Sequence, residues 1–303
     1  MRYFILGSTG FIGCHLVKHL LSQGHEVTAL VRSGKKSLPD SLDSADIVYG
    51  NPLAPGEWQH HVQDDNVDVV VNLVGNPILQ RWTPGRKQAI HHTRMVSTRM
   101  VVQALAEARP KIFLCANAVG YFGHGGNTVL TDDAMPGKDF LATICRTWQQ
   151  EAEGARAHGH RVIIGRFAPV LGKKGGLLAP LLPVFRAGLG GMLGNGRQWM
   201  SWIHIHDLCR AIVFCVDKAS IQGGCNMTSP HPVTNKQFTS LLGRVLHRPT
   251  LLRVPGWGLR MLYGQAATVI LNSQRCVPSR LEQAGFVFRF QDMGTALEDV
   301  CTP

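Results

Sequence analysis

The sequence predicts an α/β protein built on a doubly wound parallel sheet with a smaller C-terminal domain. Three observations predict it: short apolar runs alternate with amphipathic stretches, a glycine-rich turn joins the first run to the first helix, and the pattern changes after Arg166. The strand candidates, in order, are Met1 to Leu6, Glu26 to Val31, Asp46 to Tyr49, Val67 to Leu73, Ile112 to Ala116 and Val162 to Phe167. Between the first two, Ile12, Leu16 and Leu20 recur at helical spacing, and Gly24 supplies the stop. Thr83-Pro84 reads as an N-cap followed by proline at the first helical position, opening a helix that runs to about Glu107. Beyond Arg166, glycine-rich loops at 172 to 176 and 188 to 196 interrupt the alternation, and Thr234-Asn235-Lys236-Gln237 has the form of a capping box.

The turn carries the first functional information. Tyr3-Phe4-Ile5-Leu6 enters Gly7-Ser8-Thr9-Gly10-Phe11-Ile12-Gly13, and a second apolar run ends at Arg32. That order is the dinucleotide-binding βαβ unit of a Rossmann-type sheet. One glycine makes the sharp turn, one lets the backbone approach a pyrophosphate, and one lets the helix pack on the strand. A tight turn in an unrelated α/β protein is the alternative. An NAD site carries Asp or Glu at the end of the second strand for the ribose 2′-hydroxyl; here stands Arg32, with Lys35 and Lys36 close by. A guanidinium suits the 2′-phosphate, so NADP(H) is the expected cofactor, against the reading of a solvated arginine before a basic loop.

With 303 residues, the chain divides into a nucleotide domain over 1–170, to which 198–227 return, and a small substrate domain from 171–197 and 228–303. A hydrophobic content of 45% supports a substantial core. The eight cysteines form no Cys-x-x-Cys pair or zinc spacing and read as buried thiols of a reducing compartment. The first strand begins almost at Met1 and no apolar run has the length of a membrane span, so a cytoplasmic location is expected. The net charge of +11 is spread along the chain without an RNA-binding signature or an aromatic stripe. It points to anionic small molecules rather than to nucleic acid.

On the long helix, Ile90, Arg94, Ser97, Val101, Ala104 and Leu105 share one face, so Arg94 points inward along the stripe that covers the sheet. A buried guanidinium requires compensation by a carboxylate or a cofactor phosphate, unless the side chain snorkels to solvent.

A series of local matches spans nearly the whole chain. It comprises Gly-x-x-Gly-Phe-Ile-Gly at 7 to 13, Asn72-Leu73-Val74-Gly75, Arg81-Trp82-Thr83, Thr93-Arg94, Ala118-Val119-Gly120-Tyr121-Phe122-Gly123, Gly190-Gly191, Gly194-Asn195-Gly196-Arg197-Gln198 and Ser201-Trp202-Ile203-His204-Ile205-His206-Asp207. By these residues the chain resembles the extended short-chain dehydrogenases/reductases, and within them the atypical YfcH-like "epimerase family" subgroup. The resemblance implies a Rossmann domain with a small C-terminal substrate domain. It also implies NADP(H) held by the glycine turn, by Val31-Arg32, by Leu73, Val74 and Gly75, by Arg94, and by the backbone near Val170.

Ordinary members use a Tyr-x-x-x-Lys pair, in which the lysine lowers the phenol pKa from about 10. The pair is absent here. Tyr3, Tyr49, Tyr121 and Tyr263 are each followed four positions later by Gly7, Leu53, Gly125 and Ala267, and the helix where the pair falls reads Phe140-Leu141-Ala142-Thr143-Ile144-Cys145. Tyr121, at the C-terminal end of the fifth strand with His124 nearby, is the candidate substitute acid; packing or substrate lining is its other reading. His204, His206 and Asp207 lie near one another, but no further ligand stands at a metal-like spacing, and no metal is expected. Arg197, Gln198 and Trp202 are the candidate substrate residues, supplying charge, hydrogen bonds and an apolar wall. Two functions follow: an NADP(H)-dependent oxidoreductase or epimerase with a non-standard acid, or an NADP(H)-binding sensor without turnover.

Overall fold

A computed structural model describes residues 1–34 and 37–302, so Lys35 and Lys36, read above beside the 2′-phosphate, lie outside the described residues. Seven parallel strands form the central sheet: β1 (Arg2–Leu6), β2 (Glu26–Val31), β3 (Asp46–Tyr49), β4 (Val69–Asn72), β5 (Ile112–Ala118), β6 (Arg161–Phe167) and β7 (Gly223–Met227). Their spatial order is β3-β2-β1-β4-β5-β6-β7. The order reverses between β1 and β4, where an open α/β sheet places its ligand crevice. Tyr3, Phe4, Ile5 and Leu6 are all fully buried. Helices cover both faces of the sheet, which is why its strands read as continuous apolar runs and not as alternating ones.

The helices that matter for the site are α1 (Phe11–Ser22), α2 (Pro84–Leu105), α3 (Phe140–Glu153) and α4 (Ile205–Asp217). Helix α1 packs against α4, and α2 against α3. Thr83 caps α2, its hydroxyl accepting from Arg86 N at 3.3 Å, with Pro84 in the first turn as the sequence predicts. Asp139 caps α3, Oδ1 accepting from Ala142 N at 2.9 Å. The small domain contributes α5 (Asn235–Val245), α6 (Gly256–Tyr263) and α7 (Met293–Cys301). The capping box at Thr234 and Gln237 is formed.

Two buried clusters make the interior. The larger surrounds the central sheet; the smaller gathers Leu178, Phe185, Trp202, Phe238, Leu242 and Leu297. Cys276, Leu281, Phe286 and Phe288, from the C-terminal segment, join the larger cluster. The fully buried Asp207 of α4 ties that segment down: Oδ1 accepts from Arg289 N at 3.0 Å and Oδ2 from Phe290 N at 2.8 Å. Arg210 supplies its counter-charge at 3.0 Å.

Two buried histidines are wired as neutral rings. Lys111 N donates to His160 Nδ1 at 3.0 Å while His160 Nε2 donates to Leu105 O at 2.8 Å. His206 N donates to His204 Nδ1 at 3.2 Å. Burial holds both pKa values down, and His204 falls to about 4 although Asp299 lies 3.3 Å from its Nε2. In the unfolded chain each ring protonates near pH 6.5, so the contribution is complete above that value and is lost as pH falls below it, toward 4 for His204. Urea unfolding at pH 7 and pH 5 is expected to show a loss of about 2 kcal/mol from His204. His204→Gln should flatten this dependence; an equally steep dependence in that variant contradicts the assignment.

Candidate functional site

The register of the sheet assembles the crevice. Leu6 lies opposite Leu30 in β2 and opposite Asn72 in β4, so Gly7, Val31 and Leu73 leave the sheet side by side at its C-terminal edge. Leu73 N donates to Leu6 O at 2.9 Å, closing this edge. Gly7 turns with φ at +81°, and a Cβ there would lie 2.9 Å from the Leu73 carbonyl carbon. A Cβ on Gly13 would stand 2.2 Å from Gly7 O. The first turn of α1 therefore sits directly on the strand-to-helix turn, an arrangement that brings backbone N–H groups to the crevice.

The expected cofactor residues occupy this edge in different ways. Ser8 is buried and its hydroxyl donates to Leu30 O at 3.1 Å, tying the turn to β2. Thr9 and Gly10 are on the outer side of the turn, half-buried and exposed. Val31 is buried, and Arg32 beyond it is exposed, with no hydrogen bond or ion pair among the described residues. Asn72 is buried and holds the segment after β4: its Oδ1 accepts from Val74 N at 3.1 Å and its Nδ2 donates to Thr98 Oγ1 at 3.1 Å. Leu73 and Val74 are half-buried and Gly75 is exposed.

Arg94 is half-buried on the inward face of α2, as its spacing predicts. Nη1 donates to Ile90 O and Nη2 to Asn76 O, both at 3.1 Å, and Cζ lies 5.2 Å from the Trp148 ring centroid. The guanidinium rests against Gly75, where a Cβ would come within 3.1 Å. Among the described residues no carboxylate pairs with it. Burial works against its charge and lowers its pKa. A cation held by two carbonyls and a ring still has attraction to offer an anion.

Beside Arg94 opens a cavity of about 540 Å³, reached by Phe11 and Ile12 from α1 and by Val119, Gly120 and Val170 from the ends of the strands. Helix α3 presents Leu141, Ile144, Cys145 and Trp148 to it. Leu141 and Cys145, four apart, face the cavity where a Tyr-x-x-x-Lys pair would project, and burial pushes the Cys145 thiol up to about 12. The helix offers no acid or base there.

Several expected residues lie elsewhere. Tyr121 turns away: its ring stacks on Arg166, with Cζ 3.8 Å from the centroid, and both line a separate depression with Asp132 and Arg280. Its neighbours Val119 and Gly120 line the large cavity, and the 3-10 turn at 119–122 carries the Tyr121 ring round to the other side. His124 is exposed, and its Nδ1 accepts from Ser273 N at 3.1 Å. Trp202 is fully buried in the smaller core, its indole N–H donating to His231 O at 2.9 Å. Arg197 is exposed, and Gln198 lines a second pocket of about 380 Å³ with Arg253 and Arg260. The substrate trio is thus dispersed, because an apolar ring of that size is worth more in a core than on a wall.

Residues not singled out from the sequence complete the large cavity: Asp139, Tyr263, Thr268, Asn272 and Gln274. Asn272 Nδ2 donates to Asp139 Oδ2 at 2.9 Å, joining the small domain to the cap of α3. Asp139 is legible as an N-cap before an apolar run; the others stand in short elements without periodic pattern.

Residues 3–226 match the NAD dependent epimerase/dehydratase family, and residues 254–300 match a domain of unknown function, DUF1731. An Arabidopsis thaliana protein described as an epimerase family protein SDR39U1 homolog, chloroplastic, is 39% identical over 99% of this chain and 86% of its own length. An epimerase family protein of Mycobacterium bovis is 38% identical over 97% of this chain and 95% of its own. Among solved structures, human epimerase family protein SDR39U1 with NADPH superposes with a TM-score of 0.85 at 25% identity, covering 99% of both chains. These matches span the sheet, the glycine turn and the small domain alike, and the chain belongs to the NAD dependent epimerase/dehydratase family.

Proposed function

We propose that the protein binds NADPH along the C-terminal edge of β1, β2 and β4 and uses it as an oxidoreductase on a small molecule held in the adjoining cavity. The observation that carries this reading is Arg94: a half-buried guanidinium with no carboxylate partner among the described residues, resting against Gly75 and lining a cavity of about 540 Å³ that Phe11 and Ile12 of the glycine turn also border. The residues fit the cofactor. Gly7 and Gly13 leave no room for a Cβ at the pyrophosphate turn, Arg32 is exposed at the end of β2 and has no partner among the described residues, and Arg94 lines the adjoining cavity. The solved human SDR39U1, similar over the whole chain, was crystallised with NADPH.

When bound, the nicotinamide supplies a hydride. Phe11, Ile12 and Val170 wall the cavity on the glycine-turn side and would hold the ring there and keep water from it. The enzyme reading is favoured over a sensor without turnover by a preformed cavity that the cofactor residues only border.

Specificity tests the assignment. Calorimetry is expected to show tighter binding of NADPH than of NADH, and Arg32→Asp should weaken NADPH about ten- to hundredfold, the range for an ionic hydrogen bond of about 1.5 to 3 kcal/mol. Equal affinity of the unaltered protein for the two cofactors would falsify the role of Arg32.

A further inference from the structure

Beyond the residues that border the cofactor, the walls of the large cavity are mostly hydrocarbon. Leu79 follows β4, Leu141 and Ile144 come from α3, Leu177 and Pro180 from the segment after the strand at 170–172, and Val269 from the small domain. Arg94 is the single cation on these walls among the described residues, and Arg197, the candidate for charge in the substrate site, is exposed outside them. Away from Arg94 and the few amide, hydroxyl and carboxylate groups, a polyhydroxylated ring would leave several of its hydroxyls without partners, at a cost on the order of several kcal/mol. An apolar body loses nothing polar and gains contact.

The side-chain donors of Thr268, Asn272 and Gln274 at the cavity are engaged. Thr268 Oγ1 donates to Gln265 O at 2.8 Å. Gln274 Nε2 donates to Val119 O and Gly123 O, both at 3.1 Å. The carboxylate of Asp139 accepts from Ala142 N and from Asn272. Tyr263, the last residue of α6, differs: the residue lines the cavity half-buried, and its hydroxyl makes no hydrogen bond among the described residues. A hydroxyl with its proton uncommitted, on a wall mostly of hydrocarbon, is suited to one oxygen of one ligand.

Resting on the cofactor reading above, we propose that the cavity takes an apolar aldehyde or ketone and that Tyr263 is the catalytic proton donor. In the reductive direction, the carbonyl carbon would gain hydride from a bound reduced nicotinamide, whose C–H bond breaks, as the C=O π pair moves to oxygen. The Oη–H bond of Tyr263 breaks as the product O–H forms, and the phenolate regains its proton from solvent on the exposed side of the residue. The small domain thereby supplies from α6 what α3 lacks.

The test uses the full chain with 4-phenyl-2-butanone and decanal as probes, against D-glyceraldehyde and UDP-glucose. Binding of 4-phenyl-2-butanol to the chain loaded with NADP⁺ is read by calorimetry, and turnover by loss of NADPH absorbance. The apolar carbonyls are expected to be bound and reduced in preference to the polar ones. Leu79→Asp, at a wall position 38% exposed and so tolerant of charge, should weaken binding of the alcohol at least about tenfold while NADPH affinity holds within about twofold. Tyr263→Phe should keep the alcohol affinity within about threefold and lower kcat about 100-fold. Preference for the polar probes, or an unchanged alcohol affinity in Leu79→Asp, overturns the substrate class. Near-normal kcat in Tyr263→Phe, or tight binding of the apolar probes without turnover, overturns the proton donor. Failure to bind NADPH at all refutes the cofactor reading instead, and is seen independently in the calorimetry.

Discussion

Gly13→Val is expected to abolish measurable NADPH binding and to destabilise the protein by about 3 kcal/mol or more. The cause is backbone, not side chain: a Cβ at position 13 would stand 2.2 Å from Gly7 O and 2.8 Å from the Ser8 Cα. Neither atom belongs to a flexible group, so α1 must move off the turn, and the N–H groups at its start leave the crevice with it. Gly24→Ala is the control. It lies beyond the other end of α1 at φ +77° with nothing within 4 Å of a Cβ, so it carries only a conformational cost of about 1 kcal/mol and should leave NADPH affinity unchanged. Thermal unfolding with cofactor calorimetry on both variants separates the two. Retention of NADPH affinity in Gly13→Val would remove the turn from the binding site.

The same contrast explains how much of the molecule is legible in the sequence. The turn, the first six strands of the sheet and the caps at Thr83 and Thr234 follow from glycine spacing, apolar runs and capping chemistry, because each of these acts over a few residues. The seventh strand does not follow. Gly223-Gly224-Cys225-Asn226-Met227 has little of a strand's composition, and the reason is tertiary: the buried Arg166 guanidinium occupies the space where a Gly224 Cβ would go, 2.5 Å from Nη2. Glycine there is the price of seating an arginine from β6.

Side-chain direction is the other limit. Tyr121 stands at the right end of the right strand, and a single 3-10 turn sends its ring to Arg166 while Gly120 meets the cavity. Nothing in the local sequence distinguishes these outcomes, since both satisfy the ring's packing. Tyr263 shows the converse. It sits on an eight-residue helix whose Trp257, Met261 and Leu262 are exposed, so its apolar periodicity is misleading, and its position at the cavity depends on how the small domain closes over α3. The link from Asn272 to Asp139 is one visible part of that closure.

Arg94→Met is expected to weaken NADPH binding about 100-fold while changing the stability of the cofactor-free protein by less than about 1 kcal/mol in either direction. The argument is one of compensation. In the folded chain the guanidinium has Ile90 O, Asn76 O and the Trp148 ring as its neighbours, and no carboxylate among the described residues. Its burial penalty is therefore only partly offset, which is also why its pKa is lowered. Methionine keeps much of the apolar stem against Trp148 and removes the penalty, at the cost of two hydrogen bonds to carbonyls. An internal ion pair would give the opposite pattern, because removing one member strands a buried carboxylate and costs about 3 to 5 kcal/mol. Urea unfolding of the cofactor-free protein and NADPH calorimetry on the same variant decide between them. A large loss of stability with cofactor affinity intact would make Arg94 a structural residue, and the cation at the crevice would then need another explanation.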